Sequence, residues 1–292
     1  MRLKTLMLAV LGLGVFCLGA ASNLSENTIQ KRGYRRVVLP ETFAAPAGYL
    51  AEFDPQVFNG ANLDVDVAAP EHIWAYGGTE TLDAGAAVSY HISSADDADT
   101  MDVRIVCLDA TYLEVTTDIT LAGQTETDTL IDCTRLISAV PVGTSAPAGI
   151  VYIYIDDTVS TGVPQTDAKV RGTIPIGQGK LSTATTTIPL DHVGLLYGWS
   201  CAGDMVMSTN ESPATDNDIT TGYCTLLRTP NGGVPTVIDV ILFSEGQRHF
   251  PIPIRLGEGD DLRMLGTTVK NDTAVFGSMN LLLLDEEHTA GP

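Results

Sequence analysis

Carboxylates, histidines and cysteines carry most of the chemistry open to this chain, and their spacing narrows it. The five histidines, His72, His91, His192, His249 and His288, show neither H-E-x-x-H spacing nor any other tight pairing, so they build no zinc-hydrolase ligand set. There is no G-x-S-x-G elbow, no P-loop and no complete dinucleotide fingerprint. The stretch "GEGDD" from Gly257 has two glycines without the third and reads as a turn. Among the carboxylates, "ADDADTMD" gathers Asp96, Asp97, Asp99 and Asp102, and "DND" holds Asp216, Asn217 and Asp218. Such loops are either solvated or weak oxygen sites for calcium. The second is not an EF-hand, because a loop starting at Asp216 places Thr221 where Gly belongs and Leu227 where the bidentate Glu belongs. A glycosidase carboxylate pair would need an aromatic groove, and aromatics are only 6% of the chain, with two tryptophans, Trp74 and Trp199. The expectation is a protein without enzymatic activity, and no catalytic, cofactor or metal residue is assigned.

The cysteines are Cys17 near the start and then Cys107, Cys133, Cys201 and Cys224, none in C-x-x-C spacing. Two fall in each half of the body. That arrangement fits one disulfide per domain, Cys107–Cys133 and Cys201–Cys224, in an oxidising compartment. Buried reduced thiols serving as small core residues fit equally well.

The elements that must position these residues are strands. "YLEVTTDITL" puts Leu113, Val115, Ile119 and Leu121 on one face and Glu114, Thr116, Asp118 and Thr120 on the other, the pattern of a half-buried strand. "DVRIVCLD" alternates Val103, Ile105 and Cys107 against Arg104, and the turn Asp109–Ala110–Thr111 joins the two as a hairpin. "GIVYIYIDD" is apolar on both faces, as a covered central strand requires. Further strands are expected at Leu181–Ile188, Val193–Cys201, Tyr223–Arg228, Val237–Phe243, Asp261–Thr267 and Ala274–Leu284. No segment after residue 22 keeps helical periodicity over three turns. The fold class expected is all-β: two tandem antiparallel β-sandwich, jelly-roll-like domains preceded by an extended N-terminal arm. The domains expected are residues 1–22 as a hydrophobic leader or retained anchor, 23–68 as an extended basic arm, 69–176 as the first sandwich and 177–292 as the second.

Charge is distributed unevenly along this order. Arg2, Lys4, Lys31, Arg32, Arg35 and Arg36 precede residue 37, opposed there by Glu26 alone. The net charge is −20, so the remaining 10 Lys/Arg and 35 Asp/Glu leave −25 on everything downstream. That body repels nucleic acid and anionic lipid, whereas Lys31, Arg32, Arg35 and Arg36 form a candidate partner-binding arm drawn to acidic surfaces. Residues 1–22 have a basic start, an apolar run from Leu6 to Leu18, and Gly19 and Ala21 at signal-peptidase spacing. The run is short for a membrane span. Cleaved leader and retained anchor, the latter touching a membrane or a hydrophobic partner, both stay open.

The residues "AAVSYHISSADDADTMDVRIVCLDATYLEVTTDITLAGQTETDTL" resemble a module of structural proteins of tailed phages and other aquatic viruses. The resemblance rests on Val103, Ile105, Leu108 and Asp109, then Tyr112, Glu114, Val115, Thr116, Ile119, Thr120, Leu121, Gly123 and Thr125. "IGQGKLSTATTTIP" and "FPIPIRLGEGDDLRMLGTTVKNDTAVFGSMNLLLLDE" resemble its second half, so the likeness spans about residues 76–286. It implies a virion location and a capsid-associated decoration, minor capsid or vertex role. Partners would be a viral capsid protein, other virion proteins or further copies of the chain, with no active site. The amino terminus departs from this pattern. The alternative it raises is a secreted or cell-surface β-sandwich adhesin or self-assembling sheath protein.

Overall fold

The computed structural model describes residues 53–81, 86–205, 221–269 and 271–285. The leader and the arm residues Lys31, Arg32, Arg35 and Arg36 lie outside the described residues. Strands β1 (Phe53–Val65) and β2 (Glu71–His72) come first. A block follows: β3 (Val88–Ser94), β4 (Asp102–Leu108), β5 (Glu114–Thr120), β6 (Thr127–Cys133), β7 (Arg135–Pro141), β8 (Val151–Ile155), β9 (Val159–Ser160), β10 (Val163–Pro164) and β11 (Val170–Ile174). The last group is β12 (Thr185–Thr187), β13 (His192–Met205), β14 (Gly222–Thr229), β15 (Thr236–Leu242), β16 (Gln247–Leu256), β17 (Asp261–Thr268) and β18 (Thr273–Asp285). The fold is all-β, as expected, and its described strand pairs are antiparallel.

Pairing corrects the tandem order. One sandwich is made by sheets β11-β8-β3-β6 and β5-β4-β7, whose inward residues form one core that includes Tyr90, Ile92, Val103, Ile105, Ile153 and Ile174. The other is made by sheets β1-β18-β13-β16 and β12-β17-β14-β15, with β2 also on β17, around Trp199, Leu226, Leu262, Met264 and Leu281. Strand β1 pairs with β18 from Phe53↔Leu284 onward, so residues 53–65 belong to the sandwich that the chain finishes last. The first sandwich is therefore inserted into a host sandwich. The end of the expected arm is a strand because its inward residues Phe58, Gly60 and Asn62 meet the host core and joint, an attraction invisible to local periodicity.

Local patterns explain most elements. Val103, Ile105, Cys107, Ile119 and Leu121 are buried, and Arg104 lies outside on Asp118 at 2.8 Å, the expected hairpin. Leu113 departs from the expected face and is exposed, because Tyr112 at φ 66° turns the chain and the Asp109 carboxylate accepts from the N–H groups of Thr111 and Leu113. Strand β16 was not expected, since Pro251 and Pro253 remove two backbone donors. It sits at a sheet edge and bulges between Ile254 and His249, where missing donors cost little.

Of the two alternatives for the cysteines, the structure has the disulfides, Cys107–Cys133 and Cys201–Cys224. Each joins the two opposing sheets of one sandwich, β4 to β6 and β13 to β14. Closing loops of 26 and 23 residues stabilises each sandwich by roughly 3 kcal/mol in the chain-entropy account.

Candidate functional site

Two chain crossings connect host and insert, and they run side by side. The Ala75 N–H donates to the Ser182 carbonyl at 3.0 Å, and the Ala184 N–H to the Ile73 carbonyl at 2.9 Å. Met264 on β17 bonds both crossings, accepting from Ile73 N–H and donating to Ala184 O, each at 3.1 Å. Polar side chains fill the space around this ribbon. Glu80, on the outgoing crossing, is buried and accepts from the Thr185 hydroxyl at 2.6 Å and the Thr183 hydroxyl at 3.2 Å. Its backbone N–H donates to His72 Nδ1 at 2.9 Å, which fixes that ring as a neutral acceptor. Farther along, Arg135 on β7 meets Asp261 on β17 at 3.4 Å with both side chains about nine-tenths covered, and the Thr187 hydroxyl donates to the same carboxylate. Arg135 also donates to the Thr134 carbonyl at 2.9 Å.

Burial pushes the Glu80 carboxyl up to about 7, against the opposing pull of the Thr185 and Thr183 hydroxyls and of Arg263 and Arg171. Burial, with Arg263 adding to it, lowers His72 to about 4. Their signs are opposite. The Glu80 contribution to stability is complete below its unfolded value of 4.5 and is lost as pH rises through about 7. The His72 contribution is complete above 6.5 and is lost as pH falls through about 4. Between 4.5 and 6.5 the two slopes cancel, so denaturant titrations are expected to show a plateau there and a decline on either side. Each limb is under about 1 kcal/mol at 1.36 kcal/mol per pH unit, because it spans only the stretch from 6.5 to about 7 or from 4.5 down to about 4. Glu80→Gln should flatten the neutral limb, and His72→Gln should turn the plateau into a steady rise on acidification. Profiles unchanged by both substitutions would show that neither group titrates in the joint.

The sequence-derived candidates fall elsewhere. Asp99 is turned inward and accepts from Ser94 Oγ at 2.6 Å and from the N–H groups of Ala148 and Gly149 at 2.9 Å, while Asp96 caps the Ala98 N–H at 2.8 Å. These carboxylates hold a loop in shape and do not converge on one point. Asp216, Asn217, Asp218 and His288 lie outside the described residues. "GEGDD" is a turn, with Gly259 at φ 71° and Asp260 accepting from the Gly257 N–H at 2.8 Å and from Arg228 Nη2 at 2.6 Å. His91 lies 3.3 Å from Glu126 and His192 lies 3.6 Å from Asp285, each on its own strand and apart from His72.

A carboxylate group that the sequence did not single out is Asp64, Asp66 and Asp272, whose oxygens approach within 4.8 Å at the exposed β1–β18 end. Hydrogen bonding with Asp272, partial burial and the charges of Asp66, Asp272 and Glu71 raise the Asp64 carboxyl above the usual carboxylate range. It borders an open cleft of about 610 Å3 that includes Trp74, Tyr76 and Asp167, where the Tyr76 hydroxyl donates to Asp167 at 2.6 Å across the two sandwiches. Glu80, Arg135 and Asp261 were also missed. The run Thr183–Thr187, with hydroxyls on both faces of a buried strand, was the signal that polar partners lay opposite.

Fold and joint define a class: an all-β protein of two nested, disulfide-bonded sandwiches locked by a buried polar seam. No protein-family model and no curated protein matches the chain. Among solved structures, the VP2 subviral particle of infectious bursal disease virus aligns at 8% identity over 82% of this chain and 74% of that one, with a TM-score of 0.20. A mutant VP2 of the same virus in T=1 particles aligns at 7% identity over 80% and 74%, with a TM-score of 0.10. At these TM-scores the superposition defines no shared fold.

Proposed function

We propose that this chain is a non-enzymatic virion structural protein that assembles on or within a viral capsid through protein–protein contacts, in a decoration, minor capsid or vertex role. The observation that carries the reading is how the polar side chains are engaged. Glu80, Asp99, Arg135, Asp260 and Asp261 stitch loops and sandwiches together, which suits a rigid body that presents surfaces. The charge layout supports it, because Lys31, Arg32, Arg35 and Arg36 complement an acidic shell or the acidic body of a neighbouring copy. Mass spectrometry of purified particles is expected to find the chain at a fixed copy number. Its absence from particles would remove the reading.

The two inter-sheet disulfides favour a second reading, a secreted or cell-surface adhesin or sheath protein, since such bonds persist in oxidising surroundings. Recovery of the chain from culture medium, cleaved after Ala21 by intact mass and absent from particles, would establish that alternative.

A further inference from the structure

We propose that two copies of this chain associate through the outer face of the β14–β15 hairpin, an inference that deepens the assembly reading and rests on it. The register places Tyr223 opposite Leu242, Thr225 opposite Val240, and Leu227 opposite Val237. The alternate residues Cys224, Leu226 and Ile241 point into the host core. On β17 and β12 the same outer face is covered, because Asp261 and Thr187 meet Arg135 of the insert while Thr185 meets Glu80. The insert stops there. Tyr223, Val237, Val240 and Leu242 remain exposed beyond it, and Val234 in the adjoining loop is exposed too.

Two features identify the occupant and its approach. The first is charge. Among the described residues the outward side chains of the two strands include no carboxylate: Asp239, the acid of β15, lies opposite Leu226 and accepts from Trp199 Nε1 at 3.1 Å and Arg248 at 2.8 Å, and Glu245, at the hairpin edge, is paired with Arg248 at 3.0 Å. Two copies whose bodies each carry −25 beyond residue 36 can meet here without bringing acids together. The second is the state of the strand edge. The Val240 N–H is bonded to Asp239 Oδ1 at 2.9 Å and the Leu242 N–H to Glu245 Oε2 at 3.3 Å, so the edge is capped against strand addition and the face is what remains. The exposed apolar side chains offer roughly 500 Å2 per copy, below the ~800 Å2 of a standard stable interface. Pairwise contact is therefore weak and gains strength through repetition in an assembly.

Sedimentation velocity of the full chain from about 1 μM to about 500 μM tests this. The expected result is a concentration-dependent shift from monomer to dimer. Val240→Asp combined with Leu242→Asp should abolish it, with circular dichroism and melting temperature unchanged, and Val237→Asp alone should weaken it about tenfold. Leu130→Asp, at a still more exposed apolar residue (83% exposed) on β6, should leave association intact. A chain that stays monomeric throughout, or a double variant that associates like the parent, overturns the proposal. The assembly reading is separable: a chain monomeric in solution but present in purified particles removes this face and leaves that reading standing.

Discussion

Gly60→Ala is expected to cost at least about 4 kcal/mol, enough to leave much of the protein unfolded given ordinary domain stabilities of roughly 5–15 kcal/mol. A methyl group at this position would stand 1.9 Å from the Ile73 carbonyl oxygen and 2.5 Å from the Ala184 nitrogen. Both are backbone atoms of the crossings, already bonded to each other, so neither can step aside as a flexible side chain would. Nearby, the buried Asn62 amide donates to the His72 carbonyl at 3.1 Å, a second tie between β1 and the start of the joint. Ala61→Ser, one residue along and on the opposite face, should stay within about 0.5 kcal/mol. Denaturant unfolding decides the matter. Equal stability of both variants would mean that residues 53–65 are an arm lying outside the sandwich after all.

Arg135→Met is the second large effect, at roughly 3–5 kcal/mol. The loss comes less from the attraction removed than from what stays behind, a carboxylate at Asp261 that is about nine-tenths covered and, among the described residues, keeps the Thr187 hydroxyl as its side-chain donor. Removing both charges, Arg135→Met with Asp261→Leu, should recover most of that cost, because two apolar side chains of similar bulk need no partner. The remaining deficit is the Thr187 hydroxyl left without its acceptor, about 1 kcal/mol. A double variant no better than the single one would show that the pair's worth lies in its attraction.

These two residues mark how far the sequence could be read. The hairpin from Asp102 to Leu121 and the covered strand Val151–Ile155 were legible because each makes its own pattern within a few residues. Leu113 misled because an unusual backbone angle at Tyr112 breaks the alternation without a glycine to announce it. Strand β16 was hidden by Pro251 and Pro253, whose cost depends on whether a strand lies at an edge, a property of the sheet and not of the segment. The partner of β1 could not be read locally at all, since nothing near Phe53 refers to Leu284. The disulfide pairs were legible as a parity of cysteines, with reduced thiols as the rival. The joint was not, because Glu80, Arg135 and Asp261 stand far apart in the chain and each alone looks like an ordinary surface charge.

The pairing of the first strand with the last also sets an order of events during synthesis. The insert has all its strands once Ile174 has emerged, so it can close while the ribosome is still working. The host cannot. Until Thr273–Asp285 emerges, the facing sides of β1 and β13 have no partner, and two long hydrogen-bonding edges wait in the nascent chain. A chain released before this strand would carry a finished insert on a host whose β1 and β13 edges stay open to pairing with other chains.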